Sequence, residues 1–500
     1  LLSGTFRRPP ASTKDETDMA ARTNGFAPPL NQIAFSVVDL RLTERWFREA
    51  FGLLPAGGSR ALMRGPLAAN VQGLPRAAST CWWLISRNSW FQLELFQFER
   101  PIAKLMPADF RPCDIGYTRI GIWVEDFDAT MKRLAGLGSQ PLAAPHGEQG
   151  ERRACVRNRD GVYVEIMEDD PLPQFNRCAR IHCPAAIRSV TLSVPQLTNV
   201  AAFFEEGIGL KASTITLHTP EHEALWGLAG ATTESRLFDG GGVLIEVVHY
   251  LDPVGKQRPD DYLLSDQGIL NIAFGARDKA DFNAVYRRAE AFGAQPNCRP
   301  FHLPGAGSVV YVNDPHGFSV EILRTKPGLA DRMFGFEPRP VHKRPDPDTR
   351  IIQHRVKIDA PADGVWEAIT DQDNMAQWIG FDPVTVRKEG WIERHGAGSE
   401  RVMQGPLGVG QIVEQVVTTN PQKSLRYRVI AGSPLRNHQG EITLKQSGGH
   451  AELHWSIRFR PKLAGTGALL HKVLQARLGT MLNEHLRPYI ESAKTEPAVR

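Results

Sequence analysis

Three things are scarce in this 500-residue chain, and each absence removes a class of function. No run approaches the roughly 18 consecutive apolar residues of a membrane-spanning helix, so no membrane partner is expected. The six cysteines (Cys81, Cys113, Cys155, Cys178, Cys183 and Cys298) include no CxxC pair. That excludes a dense disulfide framework and points to the reduced thiols of a cytoplasmic protein. Charge of one sign is lacking too: 59 basic against 55 acidic residues leave +4, too little to argue for nucleic acid or an anionic surface. Small molecules are the expected partners, and the oligomeric state stays open.

What is present is an ordinary globular composition, 42% hydrophobic and 23% charged, over a length that implies roughly three domains. Near the start, Arg7, Arg8, Pro9 and Pro10 follow two leucines without the apolar stretch of a secretion signal, and residues 1–29 read as an extension without ordered structure.

The dominant pattern is a segment that recurs four times. Each copy opens with an alternating apolar strand, starting at Gln32, Arg119, Ser189 and Asn271, and closes with a strand carrying one glutamate, at Glu94, Glu165, Glu246 and Glu321. A helix-like stretch after each opening strand ends in glycine (Gly52, Gly138, Gly209, Gly293), as a left-handed C-cap requires. Longer and shorter copies alternate, which predicts a duplicated pair: residues 30–170 as one domain and 185–326 as the next. Residues 327–349 read as a proline-rich linker. Beyond it, 350–495 shows new periodicity. Leu453, Trp455, Ile457 and Phe459 share one strand face, and a closing helix carries Leu469, Leu470, Val473, Leu474, Leu478, Met481, Leu482 and Leu486 as an apolar stripe that Pro488 kinks or ends.

The fourfold strand and glutamate pattern, with Asp314-Pro315-His316-Gly317 and Arg159-Asp160-Gly161 before the last strand of two copies, resembles the vicinal oxygen chelate superfamily of glyoxalases, extradiol dioxygenases and bleomycin-resistance proteins. The C-terminal part, through Ala360-Pro361-Ala362-Asp363 and Met375-Ala376-Gln377-Trp378, is similar to the polyketide cyclase and START-like group. The resemblance implies an α+β protein. Four βαβββ modules form two half-open cups, and an antiparallel sheet grips a long C-terminal helix around an apolar cavity.

It also implies that each cup holds a divalent metal on its two opening residues and two closing glutamates. Taken in chain order, one cup would offer Gln32, Glu94, Arg119 and Glu165, and the other Ser189, Glu246, Asn271 and Glu321. Histidine is missing from all four opening positions. Catalytic iron, nickel or zinc favours imidazole with carboxylate, and arginine has no lone pair to donate. The expectation is therefore no metal. Arg119 should draw in Glu94 and Glu165 as a salt-bridged cluster, while the oxygen donors of the second set suit a hard divalent ion only weakly. Glu246 and Glu321, with no arginine at their matching positions, are the expected acid/base residues.

Other candidates have plainer readings. His218 and His222 are four apart, but Pro220 between them argues against a helical metal pair. Cys178 and Cys183 flank His182 at a spacing that fits no common zinc pattern, and Gly240-Gly241-Gly242 reads as a hairpin turn. Trp378, Tyr427 and Trp455 are pocket candidates in the C-terminal part, with His438, His454, Glu400, Arg426 and Arg428 as polar residues that alternation places on either face. Two functions fit: an enzyme on an aromatic or polyketide-like metabolite, or a carrier that sequesters such a ligand without turnover.

Overall fold

The computed structural model describes residues 25–59, 62–178, 181–340, 349–404 and 410–493. Most of the expected N-terminal extension, part of the linker and the last residues lie outside these. The described chain divides into two compact units: the four modules, and the segment after the proline-rich stretch, with which Leu105–Asp109 also groups.

The first module contributes β1 (Leu30–Ser36), β2 (Leu54–Gly58), β3 (Met63–Arg64), β4 (Ala78–Ile85) and β5 (Gln92–Arg100), and the second β6 (Gly116–Val124), β7 (Arg153–Arg157) and β8 (Tyr163–Met167). The third supplies β9 (Ala185–Ser193), β10 (Lys211–Ala212), β11 (Thr232–Asp239) and β12 (Leu244–Asp252). The fourth supplies β13 (Gly268–Ala276), β14 (Gln295–Pro296), β15 (Phe301–Leu303), β16 (Gly307–Asn313) and β17 (Ser319–Thr325). Within every module the opening strand runs parallel to the closing one, which places Ala34 beside Glu94, Gly121 beside Glu165, Thr191 beside Glu246 and Ala273 beside Glu321.

The modules do not pair in chain order. One sheet runs β14-β16-β17-β13-β1-β5-β4-β2, with β15 on β16 and β3 on β4; the other runs β10-β11-β12-β9-β6-β8-β7. Module 1 therefore joins module 4 through β1 and β13, where Ala34 faces Asn271. Module 2 joins module 3 through β6 and β9, where Gly121 faces Ser189. The two expected ligand sets, each drawn from neighbouring modules, are corrected accordingly. The 1–4 cup collects Gln32, Glu94, Asn271 and Glu321, and the 2–3 cup collects Arg119, Glu165, Ser189 and Glu246. The physical reason is that alternation fixes which face a strand buries but says nothing about which free edge it meets.

The helices α1 (Leu40–Phe51), α2 (Pro66–Gln72), α3 (Phe127–Gly136), α4 (Leu197–Ala202, continued as a wider π turn to Ile208) and α5 (Lys279–Ala291) follow their opening strands. Apart from α2, they cover the convex sheet faces with one continuous apolar core that includes Ile33, Phe47, Ile120, Leu134, Val190, Phe203, Ile272 and Phe282. Asp39 caps α1 by accepting from the Arg41 and Leu42 amides, and Gly52 ends it at φ 68°. The glycine run at 240–242 is the expected hairpin, with Gly241 and Gly242 at positive φ and Asp239 paired with Leu244.

The second unit is a seven-stranded antiparallel sheet: β18 (Arg350–Ile358), then β24 (His450–Pro461), β23 (Leu435–Ser447), β22 (Ser424–Ala431), β21 (Gln411–Asn420), β20 (Glu400–Gln404) and β19 (Val384–Lys388). It packs against the closing helix, α6 (Gly467–Thr480), a π turn at Met481–Leu486, and α7 (Arg487–Ala493). The helix neither ends nor breaks at Pro488. The wider turn ahead of it absorbs the missing amide donor. The buried stripe is also narrower than the sequence suggests. Leu478, Leu482, Leu486 and Ile490 are buried, whereas Leu469 and Val473 are 67% and 45% exposed. Leu482→Ala should accordingly lower stability by roughly 2–5 kcal/mol in denaturant titration, and Leu469→Ala by less than about 0.5.

Candidate functional site

Each cup buries two glutamates, and the two cups neutralise them differently. In the 2–3 cup a histidine from the β10–β11 connection lies between the acids: His218 Nε2 is 2.9 Å from Glu165 and its Nδ1 is 2.7 Å from Glu246. Arg119 donates to Glu246 at 2.9 Å and lies 3.6 Å over the Trp226 ring. Thr191 donates to the same carboxylate at 2.8 Å, and Arg153 donates to Glu165 at 3.2 Å and to the Leu217 carbonyl at 2.8 Å. Burial opposes every charge here, but the partners outweigh it. His218 is raised to about 9 by Glu246 and Glu165. Glu246 is lowered to about 2, and Glu165 is held well below the carboxylate range, in each case by His218 first and then by arginine.

Two expectations are corrected by this cluster. Arg119 pairs with Glu246, not with Glu94, because β6 borders β9. Glu246, expected to be free of arginine, is an ion-paired carboxylate with no tendency to hold a proton at neutral pH. Ser189 has a buried hydroxyl without a hydrogen-bond partner. A divalent metal does not fit this cup: an imidazolium fills the space between its acids, and Arg119 would repel a dication. His218 and His222 form no helical pair. Pro220–Trp226 is a 3₁₀ turn in which His222 Nδ1 accepts the Thr219 amide at 2.9 Å, and burial followed by Arg153 lowers His222 to about 4.

The 1–4 cup has no such cation. Gln32 Nε2 donates to Glu94 at 2.6 Å and to Glu321 at 3.1 Å, while Gln92 donates back to Gln32 Oε1 at 2.7 Å. The Cys81 thiol and Trp83 Nε1 each donate to the other Glu94 oxygen at 2.9 Å. Among the described residues no arginine, lysine or histidine pairs with either acid. Burial pushes Glu94 up to about 7, and burial together with the charge of Glu94 raises Glu321 well above the ordinary carboxylate range, with the Tyr311 hydroxyl partly offsetting this. Asn271 is buried beside the Tyr311 hydroxyl, which also meets Glu321. Two buried acids without a cation share protons.

In the second unit Trp378, Tyr427 and Trp455 are packed core aromatics, with Trp455 Nε1 donating to the Tyr427 hydroxyl at 3.0 Å. Glu400 and Arg428 are buried in a chain in which Arg387 donates to Glu400, Gln415 donates to Glu400 at 3.0 Å, and Arg428 donates to Gln415 at 2.7 Å. Arg426 pairs with Glu441 at 3.0 Å across the central β22–β23 pair, and His438 and His454 are half-buried. A further buried pair, Arg401 with Glu414 at 2.6 Å, went unnoticed in the sequence, as did Arg153, Cys81, Trp83 and Tyr311. Asp371, Asp373 and His395 converge, but Asp373 is largely exposed and already pairs with Arg394 at 3.1 Å.

Residues 349–491 match the family model for polyketide cyclase / dehydrase and lipid transport proteins. A search of curated proteins gives no significant match. Among solved structures, glyoxalase I from Zea mays is 16% identical over 59% of this chain and 92% of its own, with a TM-score of 0.40. A START superfamily protein from Mycobacterium smegmatis is 13% identical over 29% of this chain and 98% of its own, with a TM-score of 0.26. The architecture stands on the strand pairing described above.

The glutamates of the two cups should respond to pH with opposite sign, whereas His218 and the raised acids both lose their stabilisation as pH rises. A raised histidine stabilises below its unfolded value and loses that contribution as pH rises through the folded one; lowered glutamates stabilise above about 4.5 and lose it as pH falls. His218→Ala should thus cost roughly 3–5 kcal/mol near pH 6, and the gap to wild type should narrow above about pH 9 in thermal melting. Raised acids act in reverse of those lowered glutamates and in the same direction as His218, because ionisation erodes stability as pH climbs from about 4.5 through about 7. Glu94→Gln should therefore raise the melting temperature at pH 8, by up to roughly 3 kcal/mol in stability, and leave it nearly unchanged at pH 4.5.

Proposed function

We propose that this protein binds a small molecule in the 1–4 cup and moves a proton on it, with Glu321 and Glu94 as the acid/base pair. The observation that carries the reading is the contrast between the cups. Four ionic or hydrogen-bonding partners neutralise one pair of glutamates, while the equivalent pair keeps carboxyls whose affinity for protons lies near or above neutrality. A carboxyl tuned in this way accepts a proton from a carbon acid, or donates one to a developing oxyanion, without a large free-energy gap at working pH. Glu321, oriented by Gln32 and Tyr311, holds its proton the more tightly and is the acid, while Glu94, pushed up to about 7, is the base. Glu246 has no part in this chemistry.

The two carboxylates could also hold a hard divalent cation, but Gln32 presents its Nε2 to them while its oxygen accepts from Gln92, so Gln32 would have to turn over first. Such an ion would polarise a substrate oxygen. The same glutamates would then be ionised.

The second unit, by its match to polyketide cyclase and lipid-transport proteins, is read as a further compartment for an apolar or aromatic molecule. A carrier without turnover is the competing reading, and the plugged 2–3 cup favours it. Proton exchange separates the two. Wild-type protein incubated in D2O with a panel of aromatic and polyketide-like ketones should place deuterium on carbon next to the carbonyl, detected by mass spectrometry. Glu321→Gln should slow that exchange by about 10²-fold or more. Co-purified ligand without exchange for any ketone would establish the carrier instead.

A further inference from the structure

A cavity of about 200 Å³ is walled by the end of α2, the segment before β13, Leu270 of β13 and the strands β16 and β17. It is smaller than the usual drug-sized site, with room for the equivalent of roughly six or seven waters. Two features mark it as built for a polar occupant. Gln72 and Ser319 line it, are only 7% and 5% exposed, and leave Gln72 Oε1 and Ser319 Oγ without any hydrogen-bond partner. Unpartnered buried polar atoms are costly and rare, and a ligand that completes them removes that cost.

The third feature is a cation. Arg258 lines the same cavity, its guanidinium 4.4 Å from the Phe318 ring centre and 5.1 Å from that of Tyr262. One of its nitrogens donates to the His316 carbonyl at 3.3 Å; Asp314 lies close enough to feel its charge, but among the described residues no carboxylate reaches salt-bridge distance. Stacking on two rings fixes the plane of a side chain that has five donors. Leu74, Leu263, Leu264 and Leu270 supply an apolar part of the lining, beside Asn297 and Asn313. Leu270 turns inward because the β1–β13 register slips between Ala34 and Phe35.

We infer that this cavity is a binding site for a small carboxylate with an apolar body, its carboxylate on Arg258 and its polar substituent on Gln72 and Ser319. The charge selects an anion, the planar fork matches a carboxylate, and the leucine wall excludes a bare inorganic ion. Ser319 lies two residues before Glu321 on the same strand face, about 7 Å along β17, so a ligand held here ends next to the acid pair. That last step deepens the acid/base reading of the cup; the binding site itself does not depend on it.

Calorimetry on the full chain with benzoate, its uncharged analogue benzamide, and inorganic phosphate tests the site. Benzoate should bind, benzamide should bind at least about tenfold more weakly, and phosphate should not compete. Arg258→Gln should weaken benzoate by about ten- to a hundredfold and leave benzamide within about twofold, with Arg258→Lys in between. Arg258 is only half-buried, and a melting curve for each variant establishes that it is folded. Equal affinity for benzoate and benzamide, phosphate binding as tight as benzoate, or an unchanged benzoate affinity in folded Arg258→Gln would each overturn the proposal. So would the absence of benzoate binding up to about 10 mM. Glu321→Gln should keep benzoate binding, so loss of proton exchange with intact binding separates failure of one reading from failure of the other.

Discussion

Two carboxylates buried in one cup cannot both stay charged and alone, and this constraint organises the modular unit. The antiparallel joins of β1 with β13 and β6 with β9 bring the opening strands together at the centre of each sheet. Because each closing strand runs parallel to its opening strand, the join sets one glutamate of each module opposite another. At about 5 Å and an effective dielectric near 20, two such charges repel by roughly 3 kcal/mol before desolvation is counted. A cation or a proton must accompany them. The same backbone meets that demand once with an imidazolium and two guanidiniums and once with protons.

The choice is made by a loop rather than by the strands. In module 3 the connection from β10 to β11 carries Leu217 and His218 into the cup and then turns at Pro220–Trp226, so that Trp226 supports Arg119 and Glu223 ties Trp226 to Tyr250. In module 1 the matching connection, between β2 and β4, folds as the short helix α2 and supplies Gln72 and Leu74 to a cavity wall. One connection plugs its cup, and the other walls a separate cavity next to β17. The opening residues then follow the plug. Arg119 is tolerated where a fixed charge pair already stands, and Gln32, neutral and able to donate and accept at once, suits a pair that keeps its protons.

How much of this was legible in the sequence follows from which forces are local. The strands, the glutamates at the closing positions and the glycine caps obey periods of two and 3.6 residues, and they stand where the pattern puts them. Module pairing is not local. A half-buried opening strand offers the same edge to either neighbour, so Arg119 was matched to Glu94 when its partner is Glu246. His218 was visible as a histidine but not as the cup's cation, because its place depends on a loop that returns over β12. Cys81, Trp83 and Tyr311 look like ordinary alternating strand residues, and only the fold shows that their polar atoms face Glu94 and Glu321. In the second unit Leu469 and Val473 continue a helical stripe that the sheet is too narrow to cover.

The plugged cup also bears on the other cup. A single apolar core passes through both sheets, so the free energy of the neutralised 2–3 cup supports strands that carry unneutralised acids next door. The link is also specific: Tyr117, on β6 of the plugged cup, donates to the backbone carbonyl of Ser319 at 3.1 Å. Ser319 is the residue whose hydroxyl faces the cavity and whose strand leads to Glu321. Proteins keep reactive sites at some cost in stability and recover it elsewhere. Here the two cups divide those tasks, and the cup whose acids are neutralised helps hold in place the cup whose acids are not.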